Sequence, residues 1–402
     1  MVYRCGFSEL FLIMKQVISS ERVPIKLWLG EIEDGALNQA RNVANLPFAF
    51  RHVALMPDSH EGYGMPIGGV LAAKDAVVPN AVGVDIGCGM CAVKTSLETV
   101  PRDTLKKIMS GIRQLVPLGF KHHEKRQDLT LMPVADNLPA NGIVEREFEN
   151  ALKQIGTLGG GNHFIEIQSG SDGHIWIMVH SGSRNIGLKV AEHYNQIAKT
   201  LNAQWLTGIE PSKNLSFLPT NTPEATAYLS EMQYCIDFAF ANRKMMMNNI
   251  ISVFQDHTGG SLKPLDFINI AHNYAQLETH FNQPVLVHRK GATSARKGEA
   301  GIVPGSQGSP SYIVMGKGNP ESFQSCSHGA GRLMGRKQAQ RTLDLKEEIA
   351  KLDRAGIIHS IRNQKDLDEA PGAYKDIAQV MRDQEDLVEV VVTLFPLAVI
   401  KG

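Results

Sequence analysis

What most restricts the fold of this chain is a set of short apolar runs, each closed by glycine or a small polar residue. They are HVALM (52–56), GGVLAA (68–73), CAVKTS (91–96), HFIEIQ (163–168), HIWIMVH (174–180), FINIAH (267–272), PVLVH (284–288) and SYIVMG (311–316). Runs of this length, bounded by glycine turns, read as strands rather than helices. Helices lie between and after them. Thr222 as N-cap and Pro223 at the first helical position open one that runs towards Phe254. A second begins near Gly331, in GRLMGRKQAQRTL. No internal repeat, low-complexity tract or linker breaks the pattern.

At 402 residues the chain suits one large domain or two ordinary ones. Apolar residues are 43 % and charged residues 20 %, which excludes disorder and collagen-like repeats. Lys plus Arg equals Asp plus Glu at 41 each, so no global field draws the chain to a polyanion or a membrane. Charge is nevertheless uneven: nine basic residues against Glu299 and Glu321 between Leu286 and Arg341, then eight against twelve acidic from Thr342 onward. A local phosphate site fits such a basic segment; a solvated, paired surface fits a charge run by itself. No apolar run reaches the roughly 20 residues needed to span a bilayer. MVYRCGFSELFLIMK has no signal-peptide cleavage site and reads as a disordered or extended residue 1–15 extension, with an alternative start at Met14. Five cysteines make no disulfide framework. The expected compartment is a reducing cytoplasm, which leaves Cys88 and Cys91 available as thiolates.

Five segments place a potential metal ligand at a strand end or in a glycine turn: GVDIGCGM (Asp85, Cys88), LGGGNHFIE (His163, with Asn162 and Glu166), MVHSGSR (His180), IAHNY (His272) and CSHGAGR (His328). Each histidine alone has a plain structural reading, and Cys88 alone is a small buried apolar side chain. The set gains weight because His180, His272 and His328 end or follow apolar strands and meet Ser, Gly or Asn. Three His, one Asp and one Cys can hold one tetrahedral ion, or two if the thiolate bridges. Ligand softness alone favours zinc over manganese. His328 differs. Placed just ahead of a helix, it would be kept neutral by the helix dipole and would face an anion at the free N–H groups. Arg332 and Arg336, four apart, would share one helix face where their guanidinium forks meet phosphate oxygens. A neutral histidine facing a phosphate can attack phosphorus and form a phosphoramidate. PGSQGSPSY (304–312) offers N–H groups and hydroxyls to a further anion or nucleotide, or is a plain Ser/Gly turn. MPDSHEGYGMPIGG (56–69) reads as strand–turn–strand, with Asp58 and His60 as support for a metal ligand.

MPDSHEGYG, VGVDIGCGM, GTLGGGNHFIE, HSGSRNIG, AHNY, RKGATSA, PGSQG, SCSHGAGR and the terminal VIKG together resemble the RtcB family. These are GTP- and manganese-dependent ligases that join RNA 2′,3′-cyclic phosphate or 3′-phosphate ends to 5′-hydroxyl ends. The resemblance runs from about Val23 to Gly402 and keeps the family's motif order. It implies an α+β fold, mixed β-sheets flanked by helices around a deep metal-containing cleft, with residues 16–402 as a single catalytic domain. Asp85 and His163 would hold one Mn²⁺, His180 and His272 the other, with Cys88 bridging; manganese thus replaces the zinc expected from softness. His328 would carry covalent GMP. Asn162 to Glu166 (His163, Phe164 and Ile165 between them), His272, Asn273, Pro304, Gly305, Ser306, Gln307, Ser311, Gly329, Ala330, Gly331 and Lys401 would surround the guanylate, with Lys401 reaching the base. Arg184 and Arg336 would meet RNA-terminus phosphates, and Asp58 would position groups within the metal site. The resemblance also implies a cytoplasmic monomer acting in tRNA splicing or RNA repair, with an archease-like activator as a candidate partner. Two alternatives compete. A two-metal phosphoesterase would need the ligands but not His328 or Lys401. A non-catalytic RNA-end binder would need neither the complete ligand set nor SCSHGAGR. The stretch His122–Leu138 falls outside the motifs.

Overall fold

All eight glycine-bounded apolar runs form the bodies of β-strands in the structure, a computed structural model that describes residues 14–402. Most of the expected N-terminal extension, residues 1–13, lies outside the described residues. Met14 packs on the core and the Lys15 N–H donates to Leu27 O at 2.8 Å. The first quarter of the chain carries β1 (Gln16–Ile18), β2 (Ile25–Leu27), α1 (Asp34–Ala44), β3 (Ala49–His60), β4 (Ile67–Ala73), β5 (Ala76–Val77), α2 (Pro79–Val82) and β6 (Gly89–Thr95). Next come α3 (Arg102–Leu115), α4 (Ile143–Gln154), β7 (Phe164–Gly170), β8 (Ile175–Ser181), α5 (Arg184–Gln204), β9 (Leu218–Pro219) and α6 (Pro223–His257). Then follow β10 (Pro264–Ala271), β11 (Asn273–His280), β12 (Gln283–Lys290), β13 (Ala292–Ser294), β14 (Ala300–Val303), β15 (Ser311–Gly316) and β16 (Ser325–Ser327). The chain closes with α7 (Arg336–Thr342), α8 (Leu345–Arg354), α9 (Ile377–Arg382) and β17 (Val388–Lys401).

The strands build two large sheets, so the expected α+β class holds. One sheet has six strands in the order β1-β2-β3-β4-β12-β11, with only β2 and β3 parallel. The other has seven, β10-β6-β8-β7-β17-β15-β14, all antiparallel. Its edge strands β10 and β14 lie against each other, so the sheet curls towards closure. The central strands β3 and β4 of the six-stranded sheet are covered on both faces. Val53, Leu55 and Leu71 meet Ala40 and Val43 of α1, while Ala54, Met56 and Val70 meet Ile377 and Val380 of α9. Burial on both sides is why these strands read as continuous apolar runs rather than alternating ones.

The N-cap of α6 is as expected: Thr222 Oγ1 accepts from Ala225 N–H at 3.3 Å and Pro223 follows. Its first half packs Tyr228, Met232 and Phe238 among Val144 of α4 and Ile186 and Val190 of α5. Its second half sets Met246, Ile250, Val253 and Phe254 against α3 and the seven-stranded sheet. The helix between the two packings holds a buried polar pair, Asn242 and Arg243.

The helix expected from Gly331 starts five residues later, at Arg336. Gly331 sits at φ +74°, and a Cβ there would strike the Asp58 backbone oxygen. The next residues pair sideways: Arg332 bridges Tyr374 and the Leu333 N–H donates to Ala373 O at 2.9 Å. Their backbone groups are therefore committed elsewhere. Two of the long strands gave no glycine-bounded signal, and nor did the short ones of two to four residues. β11 is polar (NYAQLETH), and β17 is broken at Pro396, where its register with β7 shifts.

Phe254→Ala should destabilise the protein by about 3–5 kcal/mol, since it empties a fully buried site between α3 and the sheet. A urea unfolding midpoint unchanged from wild type would contradict this packing.

Candidate functional site

The candidate ligands converge because their strands are neighbours. β6 lies between β10 and β8, with Gly89 opposite both Ser181 and Ala271, and Met90 opposite His180. The Asp85–Cys88 turn leads into β6, His180 ends β8, and His272 joins β10 to β11. His163 precedes β7, whose Phe164 also faces His180. The His272 N–H donates to Cys88 O at 2.8 Å. A side chain at Gly89 would strike Ile270 O, so only glycine lets the strands close this tightly.

Two triads result, Asp85–Cys88–His163 and Cys88–His180–His272, sharing the Cys88 sulfur. Cys88 Sγ lies 3.4 Å from His163 Nε2 and 3.3 Å from His180 Nε2. His163 Nε2 is 3.0 Å from Asp85 Oδ2, and His180 Nε2 is 3.4 Å from His272 Nε2. Arg243 clamps the cluster from beneath: its Nη1 donates to Gly87 O and Ser181 O, both at 2.9 Å, and its Nε to Asn269 Oδ1 at 2.7 Å. Asn273 Nδ2 donates to Asp85 O at 3.1 Å. That use of Asn273 fixes the ligand turn.

Protonation favours a cation here. Burial drives His180 and His272 well below the usual imidazole range, with the positive neighbours acting in the same direction, so both rings are neutral. His180 Nδ1 lies 3.1 Å from Asn162 O, which accepts its proton and leaves Nε2 bare. Burial raises the Asp85 carboxyl, but His163 and Arg184 more than offset it and hold it at about 2. Burial and the Asp85 charge push the Cys88 thiol up. Imidazole nitrogens, a sulfur and a carboxylate packed at these distances are electron-pair donors facing one another, which suits a divalent metal between them. Among the described residues, His163 Nδ1 and His272 Nδ1 have no hydrogen-bond partner.

His328 follows β16 beside this cluster, its ring centroid 4.7 Å from that of His272. The helix dipole expected to act on it is absent from this position, because α7 begins at Arg336. Asp58 takes over instead. Its Oδ2 lies 2.6 Å from His328 Nδ1 and accepts the His328 backbone N–H at 3.1 Å. Asp58 therefore positions His328 directly, and His60, whose Nδ1 meets Asp58 O at 2.9 Å, supports Asp58 rather than a ligand. Burial pushes the Asp58 carboxyl up, and the charges and hydrogen bond of His328, then His60 and Lys375, bring it below its usual value.

A recess opens next to the cluster, lined by Phe164, Glu166, Gly305, Ser306, Gln307, Glu369, Tyr374, Val399 and Lys401. Its glycine–serine loop is pre-shaped: Gly305 N–H donates to Ser311 Oγ at 3.1 Å and Ser306 N–H to Ser309 Oγ at 2.7 Å. Lys401 Nζ donates to Asn162 O at 3.4 Å and stands 5.4 Å from the Phe164 ring centre. Burial raises the Glu166 carboxyl to about 8, against the pull of Lys401 and Gln168. Gly329 lies beside Pro304, while the Ala330 and Ile165 side chains point into the core. Arg184, at φ +61°, opens α5 and donates from Nε to Thr157 Oγ1 at 3.3 Å.

Arg332 and Arg336 meet, though not along one helix face. Both reach the buried Glu369, at 2.9 Å and 2.7 Å, and Lys401 Nζ lies 4.0 Å from the same carboxylate. The Tyr374 hydroxyl donates to it as well. Sequence reasoning missed Glu369 and Tyr374. QKDLDEAPGAY looks like solvated surface, and only the fold turns its last carboxylate inward.

A family model described as tRNA-splicing ligase RtcB matches residues 39–142 and 132–402. The chain is 38 % identical to an "RNA-splicing ligase RtcB" of Escherichia coli (strain K12), covering 96 % of this chain and 99 % of that one. It is 32 % identical to a "tRNA-splicing ligase RtcB" of Thermococcus kodakarensis, over 92 % of each chain. A third, from Nanoarchaeum equitans, is 30 % identical over 94 % of this chain and 95 % of its own. Among the described residues no helix is long and apolar enough to cross a membrane.

Cys88→Ala should weaken metal binding at both triads by at least about tenfold, since losing a ligand costs no less than losing an outer hydrogen-bond partner. Asp85→Ala should weaken only the triad it belongs to. Metal stoichiometry by elemental analysis after equilibrium dialysis reads both, and full occupancy in Cys88→Ala would exclude a shared thiolate.

Proposed function

The chain belongs to the RtcB family, and on that premise we propose that it joins RNA 2′,3′-cyclic phosphate or 3′-phosphate ends to 5′-hydroxyl ends through a histidine–GMP intermediate. The observation that carries the reading is His328, with Nδ1 on a buried carboxylate and its ring against His272 of the candidate ligand cluster. Donating Nδ1–H to Asp58 leaves the Nε2 lone pair as the nucleophile. Two Mn²⁺, one on Asp85, Cys88 and His163 and one on Cys88, His180 and His272, would neutralise charge developing on phosphoryl oxygens.

Water first opens a cyclic phosphate to the 3′-monophosphate. His328 Nε2 attacks the α-phosphorus of GTP, the bond to the β-phosphate breaks and pyrophosphate leaves. Asp58 stabilises the positive charge that the ring gains, as a buried carboxylate does for any catalytic imidazole. An RNA 3′-phosphate oxygen then takes the GMP, freeing His328. Last, the 5′-hydroxyl attacks the activated 3′-phosphate and GMP leaves. Lys401 and Glu166 address the guanine, the 304–307 loop and Ser311 its ribose and phosphate, and Arg184 and Arg336 the RNA phosphates. Residues 16–402 act as one catalytic domain, a monomer in a reducing cytoplasm, with an archease-like protein as activator and cleaved tRNA or another damaged RNA as substrate.

His328→Ala should give no protein-bound label from α-labelled GTP while metal content stays at the wild-type level. Wild-type label should be released by acid and survive alkali, as a phosphoramidate does. Asp58→Asn should slow labelling by about 10²-fold or more, because the amide favours the wrong tautomer. Labelling at the wild-type rate in either variant would overturn the role given to that residue.

Glu166 sets a pH dependence. With a carboxyl near 8 it is largely protonated at pH 7, whereas the N–H donors of guanine need the carboxylate. GMP affinity should therefore rise from pH 6 towards pH 8 and level off above it. In Glu166→Gln that dependence should vanish. A titration series by calorimetry checks both, and a flat wild-type profile would exclude an ionising Glu166.

A further inference from the structure

Phe120 is 99 % exposed. It stands at the tip of a turn that the Lys121 N–H closes by donating to Leu118 O at 3.2 Å. A phenyl ring in water forgoes the burial that aromatic side chains ordinarily supply. Its sequence neighbours Lys121, His122 and Lys125 are exposed too, while Arg126 is paired with Glu149 at 2.7 Å.

The turn is held rigidly beside the site. Leu118 bridges Gly159, the Gly119 N–H donates to Gly159 O at 3.0 Å, and the Leu158 N–H donates to Pro117 O at 3.0 Å. Gly159 in turn lies against the Arg184 guanidinium and Gly161 against that of Arg336. Gly402, next to Lys401, touches Gly159 and Gly160. Arg184 is near enough to His122 to help burial hold that imidazole below its usual range. One glycine turn thus separates an exposed aromatic and its cations from the two arginines at the mouth of the cleft.

We propose that Phe120 is a stacking platform for a nucleobase of the RNA strand whose end enters the cleft past Arg184, with Lys121, His122 and Lys125 along its backbone phosphates. The proposal rests on the RNA-ligase reading. Stacking on an aromatic face accepts any base, which suits an enzyme that recognises ends rather than sequences. Phosphate contacts from the Lys121 and Lys125 cations, with a hydrogen bond from the His122 ring, fix the strand's path without adding sequence preference.

The test compares wild type, Phe120→Ala and Phe120→Tyr in a two-strand ligation, with the 3′-phosphate strand and the 5′-hydroxyl strand titrated separately. Guanylylation is measured alongside, together with quenching of 2-aminopurine placed near each strand end. Phe120→Ala should raise KM for one strand by about tenfold and lose the quenching on that strand. Phe120→Tyr should restore both, and guanylylation should proceed at the wild-type rate in all three proteins. The strand that responds identifies the end held. KM values within twofold of wild type for both strands, or a parallel loss of guanylylation, would overturn the platform. Wild-type protein that joins no strands would overturn the ligase reading instead, and the quenching comparison would still decide the stacking.

Discussion

The site depends on the register of β6 between β8 and β10. With Gly89 opposite both Ser181 and Ala271, the turn bearing Asp85 and Cys88, the end of β8 and the β10–β11 junction lie side by side. Shifting either pairing by one residue would turn His180 or the Cys88 turn to the opposite face of the sheet. Arg243 reinforces this register. One guanidinium joins Gly87 O and Ser181 O while its Nε holds Asn269 on β10, so a single side chain ties β8 and β10 to the turn that leads into β6. Arg243 is itself completely buried, among carbonyls and side chains that the fold has already fixed.

Electrostatics separates the cluster from the nucleophile. Burial keeps His180 and His272 neutral, and with Cys88 they form an electron-rich pocket that favours a cation. His328, one ring away, is oriented by a carboxylate from a different sheet. Asp58 lies on β3 of the six-stranded sheet, whereas β6, β7 and β8 belong to the seven-stranded one. The candidate metal site and the candidate nucleophile therefore meet where the two sheets face each other, and neither sheet could assemble both alone.

Glu369 organises the opposite wall. Its buried carboxylate gathers Arg332, Arg336, Lys401 and the Tyr374 hydroxyl, four groups from three stretches of chain. Three cations packed without it would repel one another in a poorly solvated recess. Held by it, they present a fixed positive surface next to the glycine–serine loop, which suits phosphate recognition better than free side chains would.

Much was legible before folding was considered. Short apolar runs closed by glycine or a small polar residue marked eight strands, most clearly β3, β4 and β8, which are buried on both faces and have no polar alternation to blur them. Thr222 and Pro223 marked α6, because capping is settled within four residues. The ligand residues stood out through their company: histidines at strand ends beside Ser, Gly or Asn. Tertiary structure alone decided what those residues do to one another. It replaced the expected helix dipole at His328 with Asp58, because residues 331–333 spend their backbone hydrogen bonds on the 373–375 segment and cannot form a helical turn. It drew Glu369 out of an acidic, surface-like run into the centre of a basic cluster, and it set the turn bearing Phe120 against Gly159, which packs on Arg184. Local sequence fixes hydrogen bonds between near neighbours, whereas these pairings join residues tens to hundreds of positions apart and exist only once both sheets have closed.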